Sequence, residues 1–230
     1  MVSDFWRLSH HVPPFKLRCF AGARNASIHR NAPIQRVLDA GCGNHSATTT
    51  RYWLPQASYV GLDNSDYNNA SGDYALMERF VEADLDTDSL DSLEDEGFDL
   101  ILLSHVIEHL HHGERAVARL ARKLRPGGYM YVECPSERSL HLPSGRDSLN
   151  FHDDPTHVRV YDLPKVCSAA GLTVIRGGIR RDWVRALLGV TVLLPAQIYS
   201  LARYRKLHGP YLWDVLGFAQ YVVSQRPAVA

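Results

Sequence analysis

Val37-Leu38-Asp39-Ala40-Gly41-Cys42-Gly43-Asn44 is the stretch that decides the fold. Val37 and Leu38, following Ile34, read as a short buried strand that ends in an acidic residue and a Gly-x-Gly turn. Glycines at a strand end let a ligand reach bare backbone, because no side chain stands in the way. A dinucleotide fingerprint needs a third glycine three residues after the second, and here that position is Ser46. A phosphate loop needs Gly-Lys-Ser/Thr, which is absent. The turn therefore suits a nucleoside-bearing ligand without a pyrophosphate.

Working outward, residues 34 to 133 alternate short apolar runs with polar or amphipathic stretches. That is the pattern of strand-helix-strand units around a parallel sheet. The spacing of Val106, His109, Leu110, Val117, Leu120 and Leu124 predicts one amphipathic helix over 105 to 124, closed by Pro126-Gly127-Gly128. Residues 134 to 161 are polar, carry Pro135, Pro143 and Pro155, and are too long for a simple connector; such loops are functional or mobile. Asp162 reads as the cap of a helix running to Ala170-Gly171, and Leu172–Ile175 and Phe218–Val223 read as two closing strands. Between them, Ala186 to Ala202 is almost wholly apolar, broken by Gly189, Pro195 and Gln197 and flanked by Arg185 and Arg203. It is too short to span a bilayer, which takes about 20 apolar residues. The preferred reading is a pair of helices packed on the core or forming a dimer seam. A substrate lid or a membrane-surface contact is the alternative. The leader, 1 to 33, offers Phe5 and Trp6 as a cap over a cleft.

The chain has 230 residues, enough for one well-filled domain and short for two. We read 1–230 as a single domain, with 1–33 as leader and 134–161 and 182–213 as acceptor-side insertions. Twenty-five basic residues balance 25 acidic ones, so no nucleic-acid footprint is expected. Cys19, Cys42, Cys134 and Cys167 are scattered, which argues against a zinc knuckle or disulfide framework and fits a reducing cytosol. The first residues lack a signal-peptide apolar core. The expected location is cytoplasmic, and peripheral membrane contact through 186–202 goes with the alternative reading of that segment.

Four more stretches stand in order after the glycine turn. They are Tyr59-Val60-Gly61-Leu62-Asp63, Val81-Glu82-Ala83-Asp84-Leu85, Phe98 to Leu110, and Leu124 to Val132. Together they resemble the motifs of class I S-adenosylmethionine (SAM)-dependent methyltransferases over residues 34 to 134. The resemblance implies an α/β, three-layer Rossmann-like fold: a seven-stranded, mostly parallel sheet with an antiparallel final hairpin. It implies SAM as cofactor and S-adenosyl-L-homocysteine as product. On this likeness Asp63, with Asn64 beside it, holds the ribose, and Asp84 and Leu85 meet the adenine. Asp39, Gly41, Cys42 and Gly43 take the amino-acid portion, and Ser104 and His105 line the sulfonium end. A carboxylate suits a ribose because it accepts both hydroxyl hydrogens in charge-assisted bonds.

His152 and His157 lie in Phe151-His152-Asp153-Asp154-Pro155-Thr156-His157-Val158-Arg159-Val160-Tyr161, a block similar to one found in many small methyltransferases. Either is a candidate catalytic base, since histidine titrates near working pH; tying down the loop is the competing role. Asp153, Asp154, His152 and His157 are also a loose donor set for a divalent ion, but no metal is assigned. The expected reaction is methyl transfer to a small-molecule or lipid-linked acceptor. Oxygen is favoured because a histidine base suits a hydroxyl, and Ser104-His105-Val106-Ile107 stands where an amide-methylating Asn-Pro-Pro-Tyr would be. Three alternatives stand beside it: an aminopropyl transferase of the same fold, a non-catalytic SAM-binding partner subunit docking through 186–202, and a zinc hydrolase. The last rests on His105-Val106-Ile107-Glu108-His109, an H-x-x-E-H pattern that would put both histidines on one helix face. A homodimer is also among the expected states.

Overall fold

The structure, a computed structural model, describes residues 14–21, 34–183, 186, 187, 191 and 194–228. Phe5, Trp6 and much of the leader, with Arg185 and Gly189, lie outside them. Seven strands form one sheet: β1 (Arg36–Ala40), β2 (Ser58–Asp63), β3 (Arg79–Glu82), β4 (Phe98–Ser104), β5 (Leu124–Pro135), β6 (Thr173–Ile179) and β7 (Ala219–Gln225). The order is β3-β2-β1-β4-β5-β7-β6. The first five strands are parallel, and β7 runs antiparallel to both β5 and β6. This is the expected sheet, with both closing strands extending further than the apolar pattern suggested.

The central strands carry near-continuous apolar runs, such as Leu100 to Leu103, because both faces are covered. Leu38, Ile101, Leu103, Met130 and Val132 enter one core layer, and Val37, Leu100, Leu102, Tyr131 and Val223 enter the other. The alternation follows the two-residue period of a strand. Over the second layer lie α1 (Phe15–Ala21) and α2 (Ser46–Trp53), through Leu17, Phe20 and Ala47. A one-turn helix, α3 (Ser71–Tyr74), precedes β3. Over the first layer lie α4 (Gly113–Lys123) and α5 (Leu163–Ala169), through Val117, Leu120 and Val166. As expected, Asp162 caps α5, accepting from the Lys165 amide at 3.2 Å.

Two expectations need correction. The helix predicted over 105 to 124 is broken. His105 has φ 55°, a 3-10 turn covers Ile107–His109, and α4 starts only at Gly113. The reason is Asp86, whose carboxylate accepts both the His111 and His112 amides at 2.8 Å and so fixes a fresh start there. The second concerns α6 (Leu194–Tyr204), which does not pack its apolar side on the core. Leu194, Ile198, Tyr199 and Leu201 are exposed, and Gln197 and Ser200 are the buried residues. A last short helix, α7 (Trp213–Leu216), leads into β7. No helix of the described residues is long and apolar enough to cross a membrane.

Candidate active site

The sequence-predicted residues gather at the carboxyl ends of the parallel strands. The neighbours of β1 are β2 on one side and β4 on the other, so the chain departs in opposite directions there and a crevice opens at the strand ends. Asp39 is fully buried. Its Oδ2 accepts from Ser46 Oγ at 2.6 Å and the Tyr59 hydroxyl at 2.9 Å, with Lys16 Nζ at 3.6 Å. Its Oδ1 is buried with no partner among the described residues. Burial first, and Asp39 second, push the Tyr59 hydroxyl well above its ordinary range, so it stays a donor.

Gly41 has φ 86°, and a side chain there would strike Val106; one at Gly43 would sit 2.7 Å from the Tyr67 carbonyl oxygen. The protein's own packing thus already demands both glycines. Cys42 between them is fully buried, and burial, then Asp39 and Asp63, push its thiol up to about 12. It is a small filler and not a nucleophile. Asp63, half-buried at the end of β2, reaches back to the turn. Its Oδ2 accepts from the Gly43 amide at 3.1 Å and its Oδ1 from the Asn64 amide at 2.9 Å. Burial raises its pKa, and these amides oppose the rise. Each oxygen retains a lone pair for a further donor. Asn64 is exposed beside it. Asp84 follows β3 and folds its own loop, accepting from the Asp86 amide at 2.7 Å, while Leu85 is buried.

Ser104 ends β4, paired in register with Glu133 of β5. His105 then turns through left-handed backbone, which is strained for a residue with a side chain. Its ring lies between two carboxylates: Nδ1 is 3.0 Å from Glu108 Oε1, and Nε2 is 2.9 Å from Glu133 Oε1. Burial alone would lower its pKa, but the two carboxylates outweigh burial and lift it to about 9. Glu133 also accepts from the Tyr131 hydroxyl and, at 2.9 Å, from Arg180. Arg180 is buried and forks onto both oxygens of Asp214 at 3.0 and 3.1 Å. Burial would raise Glu133; Arg180 and His105 reverse that and hold its carboxyl well below the usual range. Trp213 lies with its ring centroid 5.2 Å from that of His105.

On the other side of Glu108, the two later histidines of the sequence reading part company. The His157 side chain is 6% exposed. Its Nδ1 lies 2.7 Å from the Phe151 carbonyl oxygen, which can only accept, so Nδ1 carries the proton and Nε2 keeps the lone pair. His152 is exposed, with its ring edge-on to Phe151. Glu108, His109 and His157 bring ligand atoms within 4.8 Å of one another, and Glu108 Oε2 is buried without a partner. This donor set could hold a divalent cation. It replaces both loose sets of the sequence reading. His105 and His109 do not share a helix face, because His105 stands in left-handed backbone ahead of a 3-10 turn that holds only Ile107–His109. Asp153, meanwhile, is consumed by its own loop. Its Oδ2 accepts the amides of Gly145, Leu149 and Asn150 at 2.8, 2.8 and 2.7 Å, and Ser144 Oγ bonds its Oδ1 at 2.5 Å. The carboxyl is held down to about 2 by these donors against the opposing effect of burial.

Glu133, Arg180, Asp214 and Trp213 escaped the sequence reading. The one local signal was a glutamate set in an apolar run, Tyr131-Val132-Glu133-Cys134, which a central strand tolerates only with a buried partner.

A family model described as a methyltransferase domain matches residues 10–176. A ubiquinone biosynthesis O-methyltransferase of Agrobacterium fabrum is 28% identical over 198 residues, covering 76% of this chain and 79% of that protein. A protein of the same name from Rhizobium etli is 30% identical over 197 residues, covering 76% of this chain and 79% of its own. Among solved structures, a SAM-dependent methyltransferase from Archaeoglobus fulgidus superposes with TM-score 0.55 at 19% identity, covering 96% of this chain and 99% of that one. An N-methyltransferase of Haemonchus contortus, bound to phosphomonomethylethanolamine and S-adenosylhomocysteine, gives 0.60 at 15%, covering 92% and 52%. At such identities the structural likeness speaks for the fold alone.

Proposed function

We propose that this chain, which belongs to the methyltransferase-domain family and is a SAM-dependent enzyme, methylates an oxygen of its small-molecule acceptor. Bound SAM supplies an electrophilic methyl group on a sulfonium and is released as S-adenosyl-L-homocysteine. The chain's own residues fit that cofactor. Asp39 offers a buried, unpartnered oxygen, which suits an ammonium group. Asp63, with Asn64, would take the ribose hydroxyls; Asp84 and Leu85 would flank the adenine; the backbone of Gly41, Cys42 and Gly43 would face the amino-acid portion. Ser104 and His105 would border the sulfonium. There, three carboxylates (Glu108, Glu133, Asp214) face two cations (His105, Arg180), leaving one formal negative charge beside a positive ligand.

The observation that supports the oxygen reading is His157. With Nδ1–H given to Phe151, Nε2, 3.9 Å from Asp154 Oδ2, is the ring nitrogen left to take the proton that a hydroxyl loses on methylation. The new bond joins methyl carbon to oxygen as the carbon–sulfur bond breaks, and the hydroxyl proton goes to Nε2. His105 is unsuited to that task because it stays a cation to about pH 9. His152, exposed, is the weaker candidate. The polar 144–148 segment ties the acceptor side to the chain around α6. The Arg146 amide donates to Leu207 O, and the Gly209 amide to Arg146 O, each at 2.8 Å. We extend the acceptor class to lipid-linked molecules on this link to an exposed apolar helix. The test is release of S-adenosyl-L-homocysteine against panels of phenols, carboxylic acids and amines, with the methyl located in the product. Turnover confined to amines would sink the oxygen assignment.

A further inference from the structure

α6 is built inside out. A helix of a soluble fold normally turns its apolar stripe to the core and its polar face to water. Here Leu194, Ile198 and Leu201 stand at i, i+4 and i+7 and are 50, 60 and 52% exposed, with Tyr199 and Tyr204 beside them. The buried side is Gln197 and Ser200, at 6 and 2%. Neither buried polar group is wasted. Gln197 Nε2 donates to His208 O and Gln197 Oε1 accepts the His208 amide, both at 2.8 Å, while Ser200 Oγ donates to Lys206 O at 2.8 Å. These bonds fix the rotation of the helix, so the apolar stripe cannot roll inward without breaking them. Trp183 and Leu187 are exposed too, at the near end of the same insertion.

The segment that carries the stripe has charge of one sign, while the exposed Asp147 of the neighbouring loop stands 3.4 Å from Arg146 and 3.3 Å from His208. From Trp183 to Trp213 there is no Asp or Glu, and there are four cations: Arg185, Arg203, Arg205 and Lys206. Arg203, Arg205 and Lys206 are exposed and follow the stripe directly. Arg146, from the acceptor-side loop, stacks over Tyr204 at 4.5 Å. An apolar stripe edged by cations and tyrosines is the composition of a helix that lies in a membrane interface, where rings sit at headgroup level and cations meet anionic lipid. We propose that α6 is a membrane-surface anchor that docks this protein on an anionic bilayer. The helix and its charges carry this inference; the methyl-transfer chemistry is not needed for it.

The test is co-sedimentation of the full chain with vesicles of phosphatidylcholine, with and without phosphatidylglycerol. Association with the anionic vesicles only, weakened by salt, is expected. Neutralising Arg203, Arg205 and Lys206 should weaken partitioning about fivefold per charge. Ile198→Glu and Leu201→Glu should abolish it while leaving the thermal shift by S-adenosylhomocysteine intact. That shift also keeps the anchor separate from the cofactor reading: its absence in the unmodified chain would strike the enzyme assignment and leave the vesicle result standing. Three outcomes overturn the anchor. One is no binding to anionic vesicles. The second is binding that survives Ile198→Glu. The third is a dimer, seen by sedimentation equilibrium, that Ile198→Glu dissociates, which would assign the stripe to a second copy of this chain.

Discussion

The two halves of the sheet end at the same crevice with opposite materials. On the β1–β2–β3 side the strands end in glycines and turn amides, with single carboxylates reaching a few residues along the chain or across one crossover. On the β5–β6–β7 side they end in a buried run of ion pairs, His105–Glu133–Arg180–Asp214, whose members lie 28 to 47 residues apart. The first half commits single carboxylates to nearby backbone and side chains; the second commits its charges to one another. The difference also separates what can be changed cheaply from what cannot. Buried pairs cost far more when one partner is lost than exposed groups do.

The largest effect should fall on the ligand half. Asp63→Ala removes both ribose acceptors, and hydrogen bonds to a charged group are worth about 1.5–3 kcal/mol each. Affinity for S-adenosylhomocysteine should fall by two orders of magnitude or more by calorimetry, with little change in fold. Unchanged affinity would erase the contrast by making Asp63 a turn-capping residue only. On the other half, Arg180→Met should cost about 3–5 kcal/mol of stability by leaving the buried Asp214 without its cation and Glu133 with His105 alone, read as a lowered urea midpoint. An unaltered midpoint would mean that the ion pairs do not hold this half together. His157→Ala should slow turnover about 100-fold at unchanged cofactor affinity; equal rates across the pH range would remove it as the base.

A smaller effect concerns pH. The His105 pKa is raised from its ordinary value to about 9 in the folded protein. Its stabilising contribution is therefore complete below the unfolded value near 6.5 and is lost as pH rises through about 9. Glu133, held low, contributes in the opposite sense, losing its share as pH falls through its depressed value. Melting temperature measured from pH 6 to 10 should decline at the alkaline end, and His105→Gln should flatten that decline. A last contrast sets two leucines side by side, and its second member is the smallest effect. Leu103→Ala, fully buried near the end of β4, should cost about 2–5 kcal/mol. Leu201→Ala, on the exposed stripe, should change stability by no more than about 0.5 kcal/mol in the absence of lipid.

The ligand half was legible in the sequence because its logic is local. Each strand announces itself by an apolar run and ends within a residue or two of the group that matters, as at Asp39, Asp63 and Ser104. The strands followed from those runs, while their arrangement and the antiparallel closing pair followed from the family likeness alone. The charged half was not legible, because Glu133, Arg180 and Asp214 have meaning only as a set, and nothing near Arg180 in the chain says which carboxylates it will meet. The helix over 105 to 124 failed for a related reason. The apolar spacing was real, but Asp86, some 25 residues upstream, decides where the helix begins. α6 misled in the other direction, since an apolar run in sequence does not tell whether it faces the core or the outside.

Asp153 gathers four donors from residues 144 to 150 onto one carboxylate. A loop long enough to act as a closing flap is thereby set as a wall, and the entropy of ordering it is spent during folding and not at each encounter with an acceptor. On the function proposed above, selectivity on that side rests on fixed shape. A lineage of such proteins could then alter its acceptor by exchanging side chains on the wall, one at a time, while the knot that keeps it standing is left alone.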